Sequence, residues 1–598
     1  MSKIASVMSS HGFKHAWNVD FEFVPNPGHK PNPICMVAKC MITGAEIRLW
    51  GEQLKICPFD MTADNLFIAY YASAETSCFD VLGWPRPQRM LDLFPEFRRH
   101  TNGVGATYGN GLLGALHYFG LPGIGGDEKD AMRNLILRGG PWTLEEQEAI
   151  IAYCESDVDA LALLVEAMAE FIASDSRRLG QALLRGRYAA ALGIVENNGI
   201  PIDTSLLGRL REYWSDILLH LVELVDADFG VFDRGRFVEA WFECYLSKNN
   251  IPWPRLASGG LALDEDTFRQ QAKSYPLLSP LHELRHTRSQ LRLTDLNVGE
   301  DQRARTMLSM FRSKTGRNQP SNSRFIFGMP AWFRNLVKPA EGRALAYADW
   351  SSQEIAIAGS MSGDALLWEA YASGDPYIAF AIQSGLAPAG ATKKSHPEIR
   401  QACKAIVLGV LYGMSAEGIA NQSGIHVVKA RELLQLHRDT YRQFWKWAEE
   451  NADRVSLGFP LETVFGWRIH FPAGCGISVN RRSILNWPMQ SHGAEMMRLG
   501  VCMAVEEGLM ICAPIHDALL LEAPIEQIDE QSERLAEIMG DASELVLGAG
   551  KRCRCDIKII RHPDRFEEEE RGKVMFAKVM ALLDAAEQRA KANATVSV

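Results

Sequence analysis

Two aspartates far apart in the chain sit at the ends of apolar runs. RALAYADWSSQE is an apolar strand closed by Asp349, and LMICAPIHDALLLEAP is a pair of apolar runs around His516 and Asp517, a hairpin with the polar pair at its turn. Two carboxylates at strand ends meet the requirement of a two-metal site. Paired divalent ions about 3.5–4 Å apart activate an attacking hydroxyl and stabilise the leaving group of an in-line displacement. Between them, RQACKAIVLGVLYG spaces Arg400, Lys404, Leu408 and Tyr412 four residues apart. At about 3.6 residues per turn these steps drift by only about 40°, so all four share one helical face. That face is cationic at its start and flat and apolar further on. Taken alone it reads as a surface helix with an apolar half in the core. Flanked by the two aspartates, Arg400 and Lys404 gain a triphosphate to hold, and Leu408 and Tyr412 gain a base and sugar to support.

A second set lies near the N-terminus. VDFEF puts Asp20 and Glu22 on one face of a strand, where two buried carboxylates are costly without a cation between them. YYASAETS then runs from a strand into a helix at Glu75, with Asp80 as the alternative acid, and YCESD holds Tyr153 and Asp157 one helical turn apart. Asp159 reads as a surface or cap residue.

These side chains need elements to carry them. WNVDFEFV, ICMVAKCM and AEIRLW read as strands, NLFIAYYAS as another buried strand, and TLEEQEAIIAYCESDVDALALLVEAMAEFIA as a long amphipathic helical stretch. SDSRR marks a boundary, beyond which the chain is mostly helical to about 310. Residues 318–342 form a Pro/Asn/Gly-rich structured loop, 343–349 a strand, 362–455 a helical block, and the rest mixed α and β. The acidic run EEEE at 567–570 is expected to be a solvated helix start.

As an ordered set, the C-terminal residues resemble the palm and fingers motifs of family A DNA polymerases, the bacterial polymerase I class. Asp349-Trp350-Ser351 resembles the first motif's Asp-Tyr-Ser, with Glu354 at its glutamate; Arg400, Lys404, Tyr412 and Gly413 match the second; His516-Asp517 matches the third. RSILNWPMQ (Arg482, Asn486, Gln490) resembles the stretch that touches the primer–template minor groove, and TGRNQP (Thr315, Gly316, Arg317) the element before the palm. The N-terminal set resembles a DEDD-type 3′→5′ exonuclease.

The resemblance implies an α/β exonuclease domain with an RNase H-like mixed sheet over 1–175, then an α+β right-hand polymerase domain over 176–598. Its thumb would span about 200–310, its palm about 315–361 and 456–598, and its fingers about 362–455. It implies Asp349 and Asp517 as metal ligands and Lys404 as a catalytic cation. Arg400, Leu408, Tyr412, Glu354 and His516 would surround the nucleotide, and Arg317, Arg482, Asn486 and Gln490 would contact DNA. In the exonuclease Asp20, Glu22, Glu75 and Asp157 would hold two metals, with Tyr153 orienting the attacking water. Two Mg²⁺ ions per site, or Mn²⁺, are the implied cofactors, and primer–template DNA and deoxynucleoside triphosphates the implied partners of a monomeric enzyme. Glu354 would exclude a ribose 2′ hydroxyl by bulk. Single-subunit RNA polymerases share the aspartates and the Lys/Tyr-Gly helix but lack that glutamate. Exonuclease strands beginning within twenty residues of Met1 imply no 5′ nuclease domain and a phage or mobile-element replicase, by analogy. Leu408 stands where the family has an aromatic residue, Ala518 where it has Glu, and Ala356 where it has Arg.

At 598 residues, 47% hydrophobic and 23% charged, the chain fits two to four globular domains. A net charge of −10 argues against coating nucleic acid through bulk charge. Eight basic residues from Arg285 to Arg317, including Arg292, stand against three acidic ones, Asp295, Glu300 and Asp301, which suggests a local phosphate-tracking surface. Twelve scattered cysteines without a CxxC pair, no signal-peptide core and no bilayer-length apolar run lead us to expect a cytoplasmic protein with reduced thiols. If Leu408 sits against the sugar, Leu408→Phe changes the ratio of dideoxynucleotide to deoxynucleotide incorporation in a single-nucleotide extension assay. An unchanged ratio would make position 408 a packing residue.

Overall fold

The computed structural model describes residues 3–123, 125–256, 258–290, 296–471, 481–567 and 570–596. Arg292 and Asp295 of the basic segment and Glu568 and Glu569 of the acidic run lie outside the described residues. The N-terminal sheet is built from β1 (His15–Val24), β2 (Asn32–Cys40), β3 (Glu46–Trp50), β4 (Asn65–Ala69) and β5 (Met90–Asp92), in the order β3-β2-β1-β4-β5. Strand β1 is antiparallel to β2 and parallel to β4, so the sheet is mixed. Helix α1 (Ser73–Val81) leaves β4, α2 (Leu93–Thr101) leaves β5, and α3 (Gly126–Arg138) and α4 (Leu144–Ala167) follow. A capping box between Thr143 and Glu146 starts α4, which stops at Ala167 before a separate turn of helix at Ala169–Ile172.

Period-two alternation decides where the acids of β1 point. Trp17, Val19 and Phe21 pack with Met36 and Phe67 on one face. The opposite face looks onto α4, whose Ile150, Cys154 and Val158 pack on Cys35 and Val37 of β2. Asp20 and Glu22 therefore face α4.

Helix α5 (Ser176–Asn198) opens the second half, with Asp175 capping it through the Arg178 amide. Beyond α6 (Thr204–Asp226) and the helices Glu239–Lys248, Glu265–Ser274 and Ser279–Gln290 comes β6 (Arg343–Trp350), and the helices after it include α7 (Gln353–Ser362), α8 (Pro376–Gln383) and α9 (Pro397–Leu411). Then come α10 (Arg481–Glu506), β7 (Ile511–Ile515), β8 (Ala518–Pro524), α11 (Ile528–Leu547), β9 (Cys555–Arg561) and α12 (Glu570–Val596). The four strands form one sheet in the order β7-β8-β6-β9. Among the described residues no helix is long and apolar enough to cross a membrane.

Part of the basic segment is taken up by the fold, while Arg288, Arg312 and Lys314 are exposed. Arg285 lies over the rings of Phe237 and Phe268, and Arg288 over Phe232. Arg303 pairs with Glu522, and Arg305 with Asp301. Stacking on aromatic faces and pairing with carboxylates engages these cations in holding the fold.

Helix α2 joins the two halves. Asn102 donates to the carbonyls of Lys314 (2.8 Å) and Arg468 (2.7 Å), and Arg98 donates to that of Arg312 (3.0 Å). A Cβ at Gly103, where φ is +95°, would lie 2.0 Å from the His470 carbonyl oxygen, so only glycine allows this approach. Beneath it Arg185 of α5 is paired with Glu96 of α2, the side chains 4% and 2% exposed, and also donates to the Phe465 carbonyl at 3.0 Å. Breaking a buried pair strands a charge. Arg185→Met is expected to lower stability by about 3–5 kcal/mol in urea denaturation, and a loss within about 0.5 kcal/mol would show that Glu96 is satisfied without it.

Candidate active sites

In the second sheet β6 is central, and its register sets Asp349 opposite Ala518 of β8 and opposite Asp556 of β9. Asp517, one residue before Ala518, is therefore beside Asp349, and its carbonyl accepts from the Trp350 amide at 3.2 Å. His516 and Asp517 form the two-residue turn between β7 and β8, with His516 at φ +54°. Turn geometry, not packing, exposes this pair, since a non-glycine residue at positive φ is retained only where the flanking strands demand it. Burial first, then the charges of Asp517 and Asp556, push the Asp349 carboxyl up to about 7.

Next to the aspartates is a polar cluster. Gln490 of α10 donates to Glu354 of α7, and the Tyr412 hydroxyl donates to the same oxygen at 3.4 Å. Arg317 donates to the Gln490 carbonyl at 3.3 Å. Burial lowers its guanidinium pKa, while Glu354 and Asp517 pull it back up. The stretch before Arg317 is pinned from several sides: Trp467 and Trp487 both donate to the Lys314 carbonyl (3.2 and 3.0 Å), and Arg498 donates to that of Gly316 (2.9 Å). The Asn486 Oδ1 is buried without a partner, and the exposed Arg482 reaches the Tyr412 carbonyl at 3.5 Å. A cavity of 530 Å³ adjoins this cluster, lined by Arg317, Asn318, Phe327, Arg498 and His516 among others.

Helix α9 carries the stripe as its unburied face. Cys403, Ile406, Val407, Val410 and Leu411 are buried behind it, Arg400, Lys404 and Leu408 are half-buried, and Tyr412, capping the helix, is 40% exposed. Arg400 donates to Asp375 at 2.6 Å, and both Arg400 and Lys404 lie over the Tyr377 ring, at 5.1 and 5.9 Å. The two glycines behind the stripe serve protein packing: a Cβ at Gly409 would meet Ile419 at 2.6 Å, and one at Gly413 would meet the Arg482 Cα at 2.7 Å. Ala356 is fully buried in α7, which leaves no room for a longer side chain there.

The N-terminal sheet gathers the other acids. Asp20, Glu22 and Cys154 present ligand-type atoms within 4.8 Å of one another. The Cys154 thiol donates to Asp20 Oδ2 at 3.4 Å, and burial holds it well above its usual pKa, so it acts as a donor and not as a thiolate. The charge of Asp157 of α4 raises the Asp20 carboxyl, and the charge of Asp20 in turn raises that of the buried Glu75 of α1. Burial is the largest cause in raising all four carboxyls. Lys129 of α3 approaches Asp157 at 3.4 Å. Tyr153 lies beneath Lys129, and burial raises its hydroxyl pKa. Asp80 points elsewhere, pairing with Asn197 (2.8 Å) and Lys30 (3.5 Å), and Asp159 pairs with Lys39 at the surface.

Both clusters fit divalent cations. Each holds a buried carboxylate oxygen without a hydrogen-bond partner, Asp349 Oδ1 in one and Glu75 Oε2 in the other, and each gathers carboxylate oxygens of the kind hard cations bind. The sequence pattern did not mark Lys129, Cys154, Tyr377 or Asp556. Asp375-Pro376 could have been found as a helix start. The others belong to their sites only through the fold.

The family model described as DNA polymerase family A matches residues 259–559. A thermostable DNA polymerase I of Thermus filiformis is 29% identical over 223 residues, 36% of this chain and 26% of that protein. A DNA polymerase I of Chloroflexus aurantiacus is 25% identical over 380 residues, 58% of this chain and 39% of that protein. The chain thus spans well under half the length of these curated relatives. The polymerase domain of Pol1 from M. smegmatis, solved in complex with DNA primer-template and dNTP, superposes with a TM-score of 0.66 at 18% identity, covering 93% of this chain and 97% of that one. The fold is therefore a mixed N-terminal sheet followed by a helix-rich polymerase-like region.

The N-terminal acids link stability to pH. Their folded pKa values lie above the unfolded range near 4, so the native state binds more protons and loses stability as pH rises through that range and beyond. Metal-free protein is expected to melt at a lower temperature at pH 8 than at pH 5, and Mn²⁺ to raise the midpoint more at pH 8. Asp20→Asn/Glu22→Gln should flatten the metal-free profile; a profile as steep as wild type would place the linkage elsewhere.

Proposed function

The chain belongs to DNA polymerase family A, and on that premise we propose that it extends a primer on a DNA template and trims it with a 3′→5′ exonuclease in its N-terminal half. Residues 1–175 would be the exonuclease domain and 176–598 the polymerase domain, with thumb about 200–310, palm about 315–361 and 456–598, and fingers about 362–455. The observation that carries the polymerase reading is the strand register that brings Asp349 and Asp517 together, beside the cluster of Arg317, Glu354, Tyr412 and Gln490.

In extension, the primer 3′ oxygen attacks the α-phosphorus of the incoming nucleotide. One P–O bond forms, the bond to pyrophosphate breaks, and the hydroxyl proton is released. Two Mg²⁺ ions, or Mn²⁺, held by Asp349 and Asp517 would lower the barrier by activating the hydroxyl and stabilising the leaving oxygen. Arg400 and Lys404 grip the triphosphate, with Lys404 countering the charge that grows on pyrophosphate. Tyr377 beneath them keeps both cations on the same face. Leu408 and Tyr412 support sugar and base, and His516 adds a contact at the nucleotide. Glu354, held by Gln490 and Tyr412, stands against a 2′ hydroxyl, which favours deoxynucleotides. Arg317, Arg482, Asn486 and Gln490 face the primer–template.

In the exonuclease, Asp20, Glu22, Glu75 and Asp157 would hold the cations and Tyr153 would orient the attacking water. The gathering of these four acids, with Glu75 and not Asp80 among them, supports that reading. A cytoplasmic monomer working in replication, of phage or mobile-element type, completes the proposal.

A 5′-labelled primer on a longer template with Mg²⁺ tests both activities: lengthening with the four dNTPs, shortening without them. Asp517→Asn should reduce extension by about 10³-fold or more while leaving shortening and primer–template binding intact. Continued extension would remove Asp517 from the chemistry, and extension by wild type without shortening would limit the proposal to the polymerase.

A further inference from the structure

The strand register that pairs the two aspartates also brings a third acid to the same place. Asp556 of β9 is directly opposite Asp349. Opposite residues of an antiparallel pair project to the same face with Cβ atoms about 4.5–5.5 Å apart. On the other flank, the residue opposite Asp349 is Ala518, which offers no donor atom. Asp556 is exposed, and Ser351, two residues beyond Asp349, donates its hydroxyl to Asp556 Oδ2. Cations close by in the chain are engaged elsewhere, Arg554 just before β9 with the Tyr371 carbonyl and Lys558 on β9 with that of Glu567. Asp556 is thus an oriented, solvent-facing carboxylate beside an Asp349 oxygen that has no partner of its own.

We propose that Asp556 is a third carboxylate of the divalent-cation site formed by Asp349 and Asp517, aimed by Ser351 from the strand on the opposite side of β6 to Asp517. Resting on the polymerase reading, this assigns the site three acids from three adjacent strands. Two divalent ions bring more positive charge than two carboxylates offset, and a third acid on the open flank reduces that excess. One Asp556 oxygen accepts from Ser351 and the other is left for the ion or its water.

The test is Mn²⁺ titration of the full chain, read by the electron paramagnetic resonance of free Mn²⁺. The protein carries Asp20→Ala/Glu22→Ala to silence the other acidic cluster, and is bound to a dideoxy-terminated primer–template with the matched dNTP so that no turnover occurs. Asp556→Asn is expected to weaken Mn²⁺ binding about 10-fold or more, with primer–template affinity and melting temperature unchanged; Asp556→Glu restores most of the binding, and Ser351→Ala weakens it less. Unchanged Mn²⁺ affinity in Asp556→Asn overturns the proposal, and so does a loss that tracks a fall in melting temperature and is not restored by glutamate. Because the readout is binding, it separates from the polymerase reading. A wild-type protein that binds Mn²⁺ through Asp556 but does not extend primers would defeat that reading alone.

Discussion

The register of β6 between β8 and β9 is the constraint on which the rest of the C-terminal half depends. Because side chains alternate with period two, a slip of one residue would turn Asp349 into the core and bring Ala348 or Trp350 to the cleft. The neighbours make that slip expensive. Trp350 is almost fully buried and its indole donates to the Met539 carbonyl at 3.0 Å, while Ala344, Leu345, Ala346 and Ala348 are fully buried. Apolar packing thereby holds a charged residue at an address it would not choose, since burial and neighbouring acids disfavour its charged form.

Both acidic clusters follow the same logic. Each assembles carboxylates whose mutual repulsion and desolvation oppose folding, on strands and helices stabilised by apolar contacts elsewhere. In the N-terminal cluster the cation Lys129 is paired with Asp157. In the C-terminal one Arg317 lies near Asp517 and Glu354, whereas Arg400 is drawn away to Asp375. Among the described residues Asp349 has no cation partner, so a divalent ion is the natural way to relieve it.

The two halves are mechanically joined at a place that matters to the second site. Asn102, capping the end of α2, donates to the Lys314 carbonyl, the same oxygen that two tryptophans of the C-terminal half hold, three residues before Arg317. The buried Arg185–Glu96 pair anchors that contact from below. A displacement of α2 therefore bears directly on the position of Arg317.

Much of this could be read in the chain order of residues. The alternation in VDFEF set Asp20 and Glu22 on one face, the four-residue spacing set Arg400, Lys404, Leu408 and Tyr412 on another, and the apolar runs around Asp349 and His516-Asp517 marked strand ends. Those readings depend on local periodicity, which a sequence carries in full. Charge composition was a poorer guide: Arg285, Arg303 and Arg305 looked like part of a surface and are stacked or paired, because composition does not say which partner lies across the fold. What the sequence by itself determined was the identity of the acids and the face each occupies on its own element. Only the tertiary structure decided which acids meet, that Glu75 and not Asp80 joins Asp20, that Lys129 enters that cluster, and that Asp556 is opposite Asp349. Contacts between elements depend on strand order and register, which are set by the packing of the whole core and leave no local trace.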